Sequence, residues 1–356
     1  MGAKATSHSG RRYRRARRLR GAKRGVVAVI GTLLSLLVFF ALFGIFLTQY
    51  VPLWMTDNEA QFTNSAATSF IEFKGGIDSQ YALGLPPTLG TAFTISSGGV
   101  PLIAQPTEGV LTFLPQTCPN GFNLTGRGVG QPVNSAYCVF ENQTLSVGPG
   151  GSGPYTQSVA SGVLEMQLPN RYYSAENFYL EDDGVVQSQS QGYQVMAFAP
   201  PFNVTKLAGN TTVTSSFLSL LGNSTSVIGQ GSEEVYSHLV FSEQVTSNGK
   251  RISATNPALR PFNYTFEIGT QYPCAWSSFL QQAMSGSGVP YSLSTSWGTL
   301  SYNYSNPLTH VKTVPYLGSC NNPAGITTIL ALNVNSINYA NLFYAGVEVT
   351  VGIGSS

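Results

Sequence analysis

The sequence predicts a single N-terminal transmembrane helix with a helical extension, followed by an all-β ectodomain of sandwich-like build. Three observations carry this. Val26 to Tyr50 holds no charged residue and, as helix, is roughly 38 Å long, enough to cross a ~30 Å hydrocarbon core. Beyond residue 80, short apolar or alternating runs recur about every ten residues between Gly, Pro, Asn and Ser clusters, the pattern of sandwiches and barrels. The charges are segregated: ten of the 18 Lys and Arg residues lie in 1–24, and all 16 acidic residues follow Tyr50.

Residues 1–25 form a basic segment that cannot build a core. Basic residues beside a membrane helix stay on the cytoplasmic side, so the N-terminus is expected in the cytoplasm and residues 51–356 outside the cell. Next to such a helix the run from Arg11 to Arg24 reads as a topology signal in contact with anionic lipid, not as a nucleic-acid site. Residues 26–50 are the transmembrane helix, and Trp54 stands where an interfacial aromatic belongs.

Residues 51–77 read as a helical stalk. Phe62, Ala66, Phe70, Phe73 and Ile77 share one helix face, a kink is expected at Pro52, and Gly75-Gly76 is the expected stop. The stripe has two readings: packing on the chain's own β region, or packing against neighbouring copies.

From Tyr81 onward the expected strands include 91–95, 109–113, 161–168, 193–199, 237–245, 262–269, 326–334 and 345–353. Residues 277–284 are the one helical pattern. GPGGSGP at 148–154 reads as a loop tip and Asn248-Gly249 as a hairpin turn, which suggests a first lobe over 78–250 and a second over 251–356 containing Cys274 and Cys320.

Four cysteines, Cys118, Cys138, Cys274 and Cys320, all follow the span, without CxxC spacing. An even count outside the membrane favours two disulfides. Three pairings exist, and sequence neighbours favour Cys118–Cys138 with Cys274–Cys320; four buried thiols are the alternative. Seven N-glycosylation sequons lie on the same side, at Asn123, Asn142, Asn203, Asn210, Asn223, Asn263 and Asn303.

The search for chemistry finds no nucleophile elbow, phosphate loop, dinucleotide fingerprint or zinc-protease motif. His238 and His310 are the only histidines after the span, too few to single out a triad or a metal site. Glu181-Asp182-Asp183 is the densest acidic cluster and, without the calcium-loop pattern, reads as a solvated turn. No catalytic residue, metal or cofactor is expected. The tyrosines, among them Tyr172, Tyr173 and Tyr179, read as half-buried sheet residues, with sugar platforms as the alternative. A surface so poor in charge titrates little, so tolerance of acid is expected.

The junction Lys23-Arg24-Gly25-Val26 resembles the class III signal of archaeal pilins and archaellins. The stretch from Val29 to Asp78, VIGTLLSLLVFFALFGIFLTQYVPLWMTDNEAQFTNSAATSFIEFKGGID, is similar to the start of archaeal membrane-anchored surface proteins with a type IV pilin-like N-terminus. Residues 161–204 are similar to an uncharacterised β-rich domain of that group. The resemblance implies cleavage between Gly25 and Val26, cell-surface anchoring and filament assembly; an uncleaved signal anchor is the alternative. It implies no catalytic residues. The expected function is that of a non-enzymatic, glycosylated surface protein with a structural, filament-forming or adhesive role. Its expected partners are the lipid bilayer, other pilin-like subunits and envelope components. A tethered hydrolase or sugar-binding receptor is the second reading.

Overall fold

The computed structural model describes residues 29–84, 87–100, 103–116, 118, 138–147, 155–189, 192–246, 262–295, 298–302 and 328–352. One helix, α1 (Val29–Leu83), opens the chain and is apolar and long enough, by length and composition, to cross a membrane. The expected break at Pro52 takes the form of a single π-helical turn, Phe46–Tyr50, directly before the proline. Pro52 has no N–H to offer the Thr48 carbonyl, and the helix widens instead, with the Val51 N–H reaching the Phe46 carbonyl. The expected stop at Gly75-Gly76 is corrected. The helix runs on to Leu83 because Ile77 and Gln80 are buried against the β region, and it ends at Gly84, whose left-handed φ of 61° closes the last turn.

Seventeen described strands and one further helix follow. They begin β1 (Leu89–Thr94), β2 (Val110–Leu114), β3 (Val139–Val147), β4 (Tyr155–Ser161), β5 (Val163–Leu168), β6 (Glu176–Glu181), β7 (Gly184–Gln189) and β8 (Gln194–Phe198). Next come β9 (Phe202–Leu207), β10 (Asn210–Leu221), β11 (Thr225–Ile228), β12 (Ser232–Thr246) and β13 (Phe262–Thr270). Helix α2 (Pro273–Ser285), β14 (Tyr291–Thr295), β15 (Gly298–Tyr302), β16 (Thr328–Ile337) and β17 (Tyr339–Val351) complete the order. Over their described residues the eight runs singled out in the sequence fall on strands, 161–168 across the end of β4 and the whole of β5, and 277–284 falls in α2.

Three sheets result, in the orders β1-β12-β17-β10-β9, β11-β2-β5-β6-β7-β8 and β15-β14-β16-β13-β3-β4. Neighbours are antiparallel except β10 and β17, which run parallel from Thr212 beside Tyr339 to Leu221 beside Glu348. In β17, Val347, Val349 and Val351 are buried while Glu348 and Thr350 are exposed, so the alternation read from the sequence sets one face on the core.

The first core lies where α1 meets the first two sheets. Phe62, Ala66, Phe70, Phe73 and Ile77 pack there with Phe93, Phe113, Phe178 and Val347. The helix stripe is thus spent on the chain's own β region. The second core joins the third sheet to α2 and to the other ends of β9, β10 and β17, around Tyr264, Trp276, Leu280 and Leu332. β17 serves both cores, with Ala340 and Leu342 in the second and Ala345 to Val351 in the first. A division near residue 250 therefore does not separate two lobes. β13 and β16 pair in one sheet with β3, and β17 lies between β12 and β10, because the longest strands reach across both cores.

Candidate functional site

Two regions of α1 are unusual, the bare segment before Tyr50 and the stretch where the helix meets the β body. Between Val29 and Tyr50 the apolar side chains face outward; Leu33, Leu37, Phe40 and Leu42 are about 60% exposed. Thr32 and Thr48 donate their hydroxyls to the carbonyls of Val29 and Gly44, both at 2.8 Å, so these polar groups are satisfied within the helix itself. Such a surface is matched by an apolar environment and mismatched with water.

Just beyond, the helix is clasped from two sides. Val51 and Met55 are buried against Val100, with Phe46 and Ala104 packed on them. The Asn58 amide donates to the Gly98 carbonyl at 2.9 Å. On the other side, Glu59 is fully buried and accepts the backbone N–H groups of Arg171, Tyr172 and Tyr173 at 3.1, 2.7 and 2.8 Å, together with the Thr107 hydroxyl. Burial pushes this carboxyl up, but the Thr107 hydroxyl and the three N–H groups outweigh it and hold Glu59 below its ordinary value. Arg171, Tyr172 and Tyr173 themselves are exposed.

The second region is a buried acidic hub. The sequence reading of Glu181-Asp182-Asp183 as a solvated turn is corrected, since all three are at most 4% exposed. Asp182 and Asp183 are the central residues of the β6–β7 hairpin, with φ of 45° and 62°, a left-handed pair that suits a two-residue turn and that Asp tolerates. The turn is driven between the sheets. Glu181 accepts from the Trp276 indole N–H at 2.6 Å and from the Thr270 hydroxyl. Asp182 accepts the Leu218 N–H at 3.3 Å and contacts the Glu141 carboxyl. Asp183 accepts the Ser216 hydroxyl at 3.1 Å and meets Lys74 of α1 at 3.0 Å, while Lys74 also reaches Asp78 at 2.8 Å. A Cβ at Gly184 would stand 3.1 Å from the Met196 sulfur and 3.2 Å from the Trp276 ring, a tight fit.

One buried cation thus faces several carboxyls. Burial raises Glu181 and Asp183 to about 7, the latter against the pull of Lys74. Burial, then the charge of Asp182, puts Glu141 well above the carboxylate range, and burial raises Asp182 too. The Glu141–Asp182 contact is a hydrogen bond only when one of the two carries a proton. Burial lowers Lys74, but Asp183 and Asp78 more than restore it, so it stays charged. The crevice lined by Asp78, Tyr81, Asp183 and Tyr344 encloses essentially no free volume. Its chemistry is that of a proton-holding joint between α1 and the sheets. Among the described residues no group of three or more His, Cys, Asp or Glu is placed to hold a metal.

The remaining expected sites are scattered. Cys118 and Cys138 form a disulfide. Cys274 is also disulfide-bonded, and Cys320 lies outside the described residues. Asn203, Asn210, Asn223 and Asn263 are exposed, as glycan acceptors need. Asn142 is a correction: it is 4% exposed in the middle of β3, donates its amide to Glu267 at 2.8 Å and accepts from Ser158, so no glycan fits there in the folded chain. Asn123, Asn303, Gly25, Val26 and His310 lie outside the described residues, as do the segments 148–154 and 248–249. The Nδ1 atom of His238 is buried without a hydrogen-bond partner.

The hub is hidden in the sequence because a run of three acidic residues ordinarily marks an exposed turn. A usable signal was present: the triplet is bracketed by Phe178-Tyr179-Leu180 and Val185-Val186, apolar on both faces. Compared with known proteins, the chain matches no family model, no curated protein and no solved structure.

Proposed function

We propose that this protein is a non-enzymatic cell-surface protein anchored by its N-terminal helix, with a pilin-like N-terminus and an N-glycosylated β body held outside the cell. The observation that carries the reading is the largely exposed apolar segment Val29–Tyr50, continuous with a helix half locked onto its own β body. A helix of that build serves as anchor in a bilayer and as packing element in a filament. The stripe from Phe62 to Ile77 is occupied by the β body, which leaves the segment before Tyr50 as the apolar surface for assembly. The charge split orients the anchor, with the basic residues inside, and the four exposed sequons suit an outer location. The resemblance to archaeal surface proteins at Arg24-Gly25-Val26 supports processing by a class III signal peptidase.

Mass spectrometry of the mature N-terminus in native membranes tests the pilin-like part. A chain beginning at Val26 is the expected result. A chain that retains Arg11 to Arg24 would leave a permanent anchor and remove filament assembly from the proposal.

A further inference from the structure

The clasped stretch of α1 has an outer surface that the anchor alone does not use. The loop after β5 is tied to the helix through Glu59 and through the Thr56 hydroxyl, which donates to the Tyr172 carbonyl at 3.3 Å. Thr56 lies six residues past Tyr50, about 9 Å along the axis. The headgroup layer adds ~5–7 Å to each side of the hydrocarbon core. The loop is therefore held at the outer edge of the headgroup layer of a span ending near Tyr50. At that level the exposed side chains are Tyr50, Leu53, Trp54, Ile103, Tyr172 and Tyr173, each at least 40% exposed. Arg171 joins them. Among the described residues after Tyr50 the cations are Lys74, which is buried, Lys206 and Arg171, so one of the two exposed cations sits in this loop. Aromatic rings with a polar edge and an arginine are the side chains that partition into a membrane–water interface.

We propose that Trp54, Ile103, Arg171, Tyr172 and Tyr173 form a collar around the exit of α1 that seats the β body directly on the headgroup layer of the bilayer. The proposal rests on the anchored reading above. The occupant follows from continuity: the collar extends the same apolar surface that begins at Val29, and Arg171 faces lipid phosphate where the rest of the body is acidic. Glu59 is the positioning residue, holding three consecutive N–H groups so that Tyr172 and Tyr173 stay at interface height.

The test uses the full-length, disulfide-intact protein in vesicles of phosphatidylcholine and phosphatidylglycerol, with a nitroxide label placed singly at Leu37→Cys, Tyr173→Cys or Ala82→Cys. Relaxation by oxygen and by a water-soluble nickel chelate reports depth. Position 82 is exposed and ~48 Å along the helix from Tyr50, so it serves as the solvent reference. The expected result is lipid depth at 37, and nickel access at 173 several-fold below that at 82. Adding Glu59→Gln will loosen the loop and raise nickel access at 173 without moving the label at 37. Equal nickel access at 173 and 82, with 37 in lipid, overturns the collar and leaves the anchor standing. Water exposure at 37 overturns the anchor itself. Protection at 173 that appears only on raising protein concentration, without lipid depth, assigns the surface to a second copy and also overturns the collar.

Discussion

At pH 4 the full-length protein in detergent micelles will unfold at a higher temperature than at pH 8, and the loss will run progressively from above pH 4 to about pH 7. The cause is the hub of Glu141, Glu181, Asp182 and Asp183. Its charged and titratable surroundings are Lys74, Asp78 and Tyr81 from α1, Tyr264 from β13 and Tyr272 just before α2. Glu181 and Asp183 rise to about 7 from ordinary values of 4.5 and 3.8. A folded-state pKa above the unfolded one means the folded chain holds the proton more tightly. The resulting stability is complete below about pH 4 and disappears as pH climbs through about 7. One pKa unit is worth ~1.4 kcal/mol, so Glu181 alone contributes on the order of 3 kcal/mol. Glu59 acts with the opposite sign: its carboxyl is held low, so its contribution is present above 4.5 and fades as pH falls below. The stability curve therefore peaks in mild acid. Thermal unfolding followed by circular dichroism across pH 3 to 8.5 measures it. The double substitution Glu181→Gln with Asp183→Asn will flatten the neutral side, since Asn tolerates the left-handed turn. A wild-type curve that rises from pH 5 to 8 would sink this explanation.

Lys74→Met will cost ~3–5 kcal/mol at pH 8, because it leaves the carboxylates of Asp183 and Asp78 buried or half-buried with no countercharge. At pH 4 the loss will be much smaller, since Asp183 is then protonated and needs no cation. Urea unfolding at both values separates this from simple packing. Methionine keeps most of the apolar stem, so an equal loss at the two pH values would mean that the stem and not the charge matters. The two results together describe a joint that locks the helix to the body when protonated and loosens as the carboxyls ionise. The sequence reading expected acid tolerance from the scarcity of surface charge. The structure adds a second source, a few carboxyls placed where ionisation is costly.

Regular features were legible because their cause is local. An uncharged apolar run makes a helix long and apolar enough to cross a membrane whatever follows, and Val347-Glu348-Val349-Thr350-Val351 is a half-buried strand by its period. The helix face from Phe62 to Ile77 was legible in phase but not in partner, since periodicity marks a buried side without saying what buries it. The helix end was misjudged at Gly75-Gly76 because tertiary burial of Ile77 and Gln80 outweighs the low propensity of two glycines. The division near residue 250 failed for a different reason. Sheet partners are set by long-range pairing, and β17 lies parallel to β10 more than a hundred residues away. The hub and the Glu59 clasp were invisible for the same reason: each joins residues from distant elements, and a lone Glu59 in a polar stretch carries no mark of its burial.

The proposed anchor requires α1 to cross the membrane with the β body outside. The most direct measurement treats intact cells with a membrane-impermeant amine reagent and then extracts the membranes with alkaline carbonate. Lys206, exposed on β9, should be labelled without lysis, and the protein should remain in the membrane pellet. Labelling of Lys206 only after lysis, or release of the chain into the carbonate supernatant, would contradict the account.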